Sequence, residues 1–242
     1  MTAVPAEPPA WDAPTTVAVA FCPSPPLLLP DVEGRGAPET AELRRACAEA
    51  VDRMLAVRPE VVVVVGGGGP AGVRFGAGDG GSLRGYGVDR EIALDGRARR
   101  PEGRVLPLAH TVGAWLLDQA GFSGTRVGVG PDDLVQLLRN LPGPLGVLAM
   151  GDGSARRTVK APGYLDDAAV PFDRSVSAAL ADGDAGILAG LDLAEGERLL
   201  AAGAATWQAV GAALLGREIS GRVHLDAAPF GVGYVVADWV AA

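Results

Sequence analysis

Histidine, cysteine and lysine are nearly absent from this chain. Among 242 residues the only histidines are His110 and His224, and the only cysteines are Cys22 and Cys47. A single lysine, Lys160, stands beside twenty arginines (21 basic residues less this one). Two histidines exclude by counting any site that needs three imidazoles. Two widely separated cysteines give no metal-knuckle spacing, and a cytoplasmic chain is not expected to pair them as a disulfide. Positive charge is in deficit too: the formal net charge is -8 and no basic stripe with interleaved aromatics occurs, which argues against nucleic acid as a partner. No apolar run approaches the roughly 20 residues that span a bilayer. Residues 1–14 are rich in Pro and Ala and hold two acidic residues but no Lys or Arg, so they lack a secretory leader's basic start and apolar centre. They are predicted to be a flexible tail on a soluble, cytoplasmic protein.

What is present is a large apolar supply, 48% of residues, enough for a real core. The pattern predicts one domain over residues 15–242, of α/β class, with a mostly parallel central sheet flanked by helices and late antiparallel strands. Residues 15–21 (TTVAVAF) read as the first strand, ended by the rigid turn Cys22-Pro23-Ser24-Pro25-Pro26. Pro38 opens a helical pattern through residue 57 with Leu43, Ala46, Cys47, Ala50, Met54 and Leu55 inward and Glu42, Arg45, Glu49 and Arg53 outward. Residues 60–65 (EVVVVV) suit a central parallel strand buried on both faces. Gly66 to Gly69 follow at once, and such a turn lets backbone N–H groups approach a ligand closely. It is neither a Walker A loop nor a GxGxxG dinucleotide turn. The glycine-rich stretch to Gly87 reads as a mobile or ligand-ordered loop near the site, or as a surface excursion.

Further on, residues 89–94 read as a strand, and residues 106–120 as a helix with Leu108, Val112, Trp115 and Leu116 inward and His110 in it or at its start. A strand over 125–129, a helix over 134–141 and a strand over 145–150 complete the alternation that marks a parallel sheet. Helices are expected over 165–181, 194–202 and 206–215, and strands over 222–225 and 232–240.

The stretch that draws chemistry together is residues 145–166, LGVLAMGDGSARRTVKAPGYLD. A buried strand ends at Met150, Gly151-Asp152-Gly153 turns the chain, and polar side chains crowd the loop beyond. Ligands of open α/β sheets sit at that carboxyl edge. Lys160, a titratable amine in a chain that otherwise uses arginine, is the candidate proton-transfer residue, with Asp152 adjusting its pKa. Ser24, Gly66, Gly67, Ser154, Arg156 and Tyr164 are candidate substrate-binding residues, Cys22 faces them, and Arg156 or Arg157 is expected to hold an acidic or phenolic small molecule.

The segments FCPSPPLLLP, RPEVVVVVGGGG, MGDGSARRTVKAPGYLD, FDRSVSAALADGD and DAAPFGVGYVVADW resemble the class III extradiol ring-cleavage dioxygenase family, the LigB-like and Memo-like proteins, and particularly an actinobacterial branch of it. Together they cover most of the chain from about residue 16. The resemblance implies non-haem Fe(II) held by two histidines and a carboxylate, with a further histidine as acid/base. The matching positions here are Ser24 for the first ligand, Gly66 to Gly69 for the second and Ala155 for the acid/base, with Asp226 or Asp238 for the late carboxylate. Every histidine of the pattern is missing, so the chain is expected to have no metal and no ring-cleaving activity. Two alternatives remain: a non-enzymatic accessory subunit or homo-oligomer docking through residues 165–215, and a metal enzyme with Fe(II) or another divalent ion relocated to His110, His224 and Asp226.

Overall fold

A computed structural model describes residues 16–34 and 40–242. The expected tail, Thr15 and Pro38 lie outside the described residues. The chain runs β1 (Val17–Cys22), α1 (Pro30–Glu33), α2 (Ala41–Leu55), β2 (Val61–Gly66), β3 (Gly80–Ser82), β4 (Glu91–Ala93), α3 (Leu108–Gln119), β5 (Thr125–Val129), α4 (Pro131–Arg139) and β6 (Leu145–Met150). It continues with α5 (Ala169–Asp182), α6 (Ala185–Ala189), α7 (Leu193–Arg198), α8 (Ala204–Leu214), β7 (Ile219–Ala227) and β8 (Tyr234–Ala241).

Six strands form the main sheet in the order β5-β2-β6-β1-β8-β7. The first four are parallel, and β8 and β7 run antiparallel at one side. The sheet therefore matches the expected α/β class with its late antiparallel pair. The valine run shows why β2 sits inside it. Val62 and Val64 enter the core layer under α2 and α3, while Val63 and Val65 enter the opposite layer with Leu134, Val176, Leu180 and Trp207. A strand that alternates between two buried faces must be apolar at every position. Burying each such valine contributes roughly 1.5–3 kcal/mol. Among the described residues no helix is long and apolar enough to cross a membrane.

Several expectations need correcting. The glycine-rich stretch after Gly69 is not a mobile or ligand-ordered loop: β3 and β4 pair in a small second sheet, and Gly80 bonds the backbone of Arg104 and Leu106. This excursion covers α3, which is consequently buried from Ala109 to Leu117 rather than on one face. Glycine is required at position 81, where a Cβ would lie 1.9 Å from Thr111 Oγ1. The helix expected from residue 165 begins at Ala169, because Asp166 caps a turn by accepting the Ala168 N–H at 3.0 Å. The helix expected to reach residue 202 stops at Arg198, since Leu200 takes a left-handed φ of 54°. Helix α6 had no separate expectation. Arg53 does not stand free in solvent, because its Nε donates to the buried Asp238 Oδ1 at 2.7 Å.

Candidate functional site

β1, β2 and β6 are adjacent and parallel, so their carboxyl ends lie side by side: Cys22 pairs with Met150, and Gly66 with Met150 from the other side. The turns that leave these ends meet around one cavity of about 380 Å³. Ser24 and Pro26 come from the first turn, Gly67 and Gly68 from the second, and Met150, Gly151 and Asp152 from the third. Pro107, Leu108 and Ala109 enter from the start of α3, and Ala202 from the turn before α8. Both ends of the β3/β4 excursion thus return to the same hollow.

Among the described residues Asp152 is the one charged side chain on that wall. Its Oδ1 accepts the Ser24 N–H at 2.6 Å, a bond from the β1 turn to the β6 turn across the cavity. Burial raises its carboxyl pKa to about 6, and the Ser24 N–H pulls only partly the other way. No described residue donates to Oδ2. Backbone bonds hold the turn in place: Gly203 N–H donates to Asp152 O at 2.8 Å, Gly153 N–H to Gly233 O at 2.7 Å, and Gly233 N–H to Ser154 O at 2.9 Å. Glycine is needed at 151, where a Cβ would stand 2.3 Å from Gly203 Cα, and that approach brings Ala202 to the cavity.

Behind this wall lie Cys22 and Cys47, both free and buried. Burial, and then the neighbouring Cys22, push the Cys47 thiol well up, so it stays protonated. The Tyr234 phenol is also raised, first by burial and then by the charge of Asp152.

The remaining sequence candidates are placed elsewhere. Gly66 is buried at the end of β2 against Ala109. Ser154 is fully buried, its Oγ donating to Leu199 O at 2.7 Å and its N–H to Asp173 Oδ1 at 2.9 Å, so it is part of the framework. Arg156 pairs with Asp166 at 3.5 Å. Arg157 pairs with Asp173 at 3.4 Å and Asp226 at 3.8 Å. Lys160 is exposed in the following turn and does not line the cavity. Tyr164 is 64% exposed with a left-handed φ of 60°. The loop leaves the carboxyl edge after Asp152 and packs over the 231–233 turn, which takes its basic residues away from the hollow.

Sequence reasoning missed Pro107, Leu108, Ala109, Ala202 and Asp173. Pro107 directly before an apolar helical pattern was the available signal for a helix start. Asp173, in α5, had none. Its carboxyl is also raised to about 6 by burial, against the opposing Ser154 N–H and Arg157.

The donor set does not fit the iron that the resemblance implies. Among the described residues the cavity offers one carboxylate, one serine hydroxyl and no imidazole. His110 Nε2 lies 3.0 Å from Val129 O in the core, and burial lowers its pKa to about 4. His224 Nε2 lies 2.7 Å from Asp238 Oδ1, and Asp226 faces Arg157. The relocated set is therefore dispersed, and among the described residues no group of three or more His, Cys, Asp or Glu is arranged to hold a metal. No protein-family model and no curated protein matches the chain.

Proposed function

We propose that this chain is an iron-free relative of the LigB-like extradiol dioxygenases that binds a small phenolic molecule in the strand-end cavity and exchanges a proton with it through Asp152. The observation that carries the reading is the meeting of the β1, β2 and β6 turns around one hollow whose sole charged side chain among the described residues is that carboxylate. Pro26, Pro107, Leu108, Met150 and Ala202 supply apolar walls for a ring, and about 380 Å³ suits a compact ligand. A carboxylate raised to about 6 is poised between accepting and returning a proton near neutrality. An acidic ligand is disfavoured, because Arg156 and Arg157 are engaged with Asp166, Asp173 and Asp226.

A thermal-shift and calorimetric screen of phenol, catechol and benzoate tests this. Phenols should bind and benzoate should not, and Asp152→Ala should remove the preference. The reading fails if no phenol binds, or if Asp152→Ala binds as the wild type does.

The accessory-protein reading has its own support in residues 165–215, where Ile187 and Leu200 are 49% and 47% exposed. Light scattering tests it: a dimer broken by Ile187→Glu would favour this reading, and a monomer would remove the homo-oligomeric form of it.

A further inference from the structure

The turn after β1 is built to present one backbone donor. Within Pro23-Ser24-Pro25-Pro26 three residues have no N–H, so the Ser24 amide is the only main-chain donor between Cys22 and Leu27. Its direction has little freedom. Each proline fixes its own φ and keeps the residue before it extended, and Pro25 itself stands at φ -63° and ψ 142°. Both flanks are tied down as well: Gly151 N–H donates to Cys22 O at 3.0 Å, and Leu28 N–H to Pro25 O at 3.0 Å, with Leu28 and Leu29 fully buried. The single donor of this turn goes to Asp152 Oδ1 at 2.6 Å, across 128 positions of sequence.

Nothing else around the carboxyl favours its charge. Among the described residues no cationic side chain lines the cavity. The titratable groups near Asp152 are the Tyr234 phenol from β8 and the Cys47 thiol from α2, the latter beside Cys22 of β1. Burial foremost raises both Tyr234 and Cys47, so they stay uncharged. The Ser24 N–H is therefore the one described donor that stabilises the carboxylate against its burial. Resting on the phenolic reading above, we infer that the Ser24 amide is the positioning group for proton exchange, holding Asp152 by Oδ1 so that Oδ2 is the oxygen that meets the ligand. In the exchange the phenolic O–H bond breaks as an O–H bond forms at Oδ2, the pair keeps one negative charge, and nothing is oxidised or reduced. The same amide sets the pH at which the carboxyl becomes able to accept that proton, and the serine hydroxyl has no part in it.

Ser24→Ala and Ser24→Pro both lose the hydroxyl, and only the second loses the N–H. Phenol affinity, measured by calorimetry from pH 5 to pH 9, should rise with pH as Asp152 ionises. The midpoint of that rise should lie roughly one to two pH units higher in Ser24→Pro than in Ser24→Ala, the loss of one hydrogen bond to a charged group. A merely structural amide would weaken binding alike at every pH and leave the midpoints equal, which would overturn the inference. Should Ser24→Pro not fold, the Ser24 amide proton of the wild-type chain decides by NMR. Its shift should titrate with a midpoint of about 6 and lose that titration in Asp152→Asn. A wild-type shift that stays flat would overturn the inference and leave phenol binding, where calorimetry shows it, standing. A shift that titrates while phenol binds at no pH would overturn the phenolic reading, and the exchange with it.

Discussion

Replacing Asp152 by asparagine should stabilise the protein at neutral pH and leave it nearly unchanged in acid. The side chains are almost isosteric, and an amide oxygen can still accept the Ser24 N–H that the carboxylate takes at 2.6 Å. What changes is titration. The folded carboxyl has a pKa of about 6, against about 3.9 in an unfolded chain. Below pH 4 both states are protonated and the burial penalty is absent. Between about pH 4 and 6 the folded state keeps a proton that the unfolded state has released, so stability falls as pH rises. Above pH 6 the full penalty applies: about two pH units at 1.36 kcal/mol each, or about 3 kcal/mol. Asparagine lacks this loss. Urea unfolding at half-unit steps from pH 4 to pH 8, followed by fluorescence of the buried Trp207 and Trp239, would measure it. The variant's advantage over wild type should grow by about 3 kcal/mol across that range. A constant difference, within about 1 kcal/mol at every pH, would refute the claim that Asp152 is desolvated in the folded state.

Other substitutions separate the cavity from its surroundings. A Cβ at Gly67 meets nothing within 4 Å, so Gly67→Val should keep the wild-type melting temperature while abolishing phenol binding measured by calorimetry. At Gly66 a Cβ would lie 2.7 Å from Ala109 Cβ, so Gly66→Ala should destabilise by about 1–3 kcal/mol in a urea titration. Lys160→Ala should alter neither binding nor stability by more than about 0.5 kcal/mol, because the amine is exposed and away from the cavity. Asp173→Ala should cost about 1–3 kcal/mol of unfolding free energy by leaving the buried Ser154 N–H unpaired, Arg157 keeping Asp226.

The parallel core was legible because β1, β2 and β6 are buried on both faces, which forces continuous apolar runs such as Val61 to Val65. Their ends were legible as one shared edge because parallel neighbours end on the same side of the sheet. The cavity's far wall was not. Pro107 to Ala109 and Ala202 reach it through contacts distant in sequence, such as the approach of Gly203 to Gly151, and local pattern carries no trace of such pairings. The dense polar run from Asp152 to Tyr164 misled in another way. Residue type gave no direction, and within two residues the chain turns from the cavity, where Asp152 lies, into the framework, where Ser154 is enclosed. The singularity of Lys160 is a compositional fact, and composition does not say where a side chain points.

Asp152 and Asp173 make the sharper comparison, because burial raises both carboxyls to about 6. A perturbed pKa therefore does not by itself separate a working residue from a structural one. Their partners do. Asp173 has the Ser154 N–H on one oxygen and Arg157 near the other, and the Gly233 backbone approaches so closely that a Cβ there would stand 2.1 Å from Oδ2. It is a closed joint between α5, the Asp152 loop and the turn before β8. Asp152 has one N–H and an oxygen left to the cavity, and its turn is fixed by backbone bonds on both sides. An ionised carboxylate there has an open face and no described partner for its second oxygen, and the pairing it lacks is what the proposed ligand would supply.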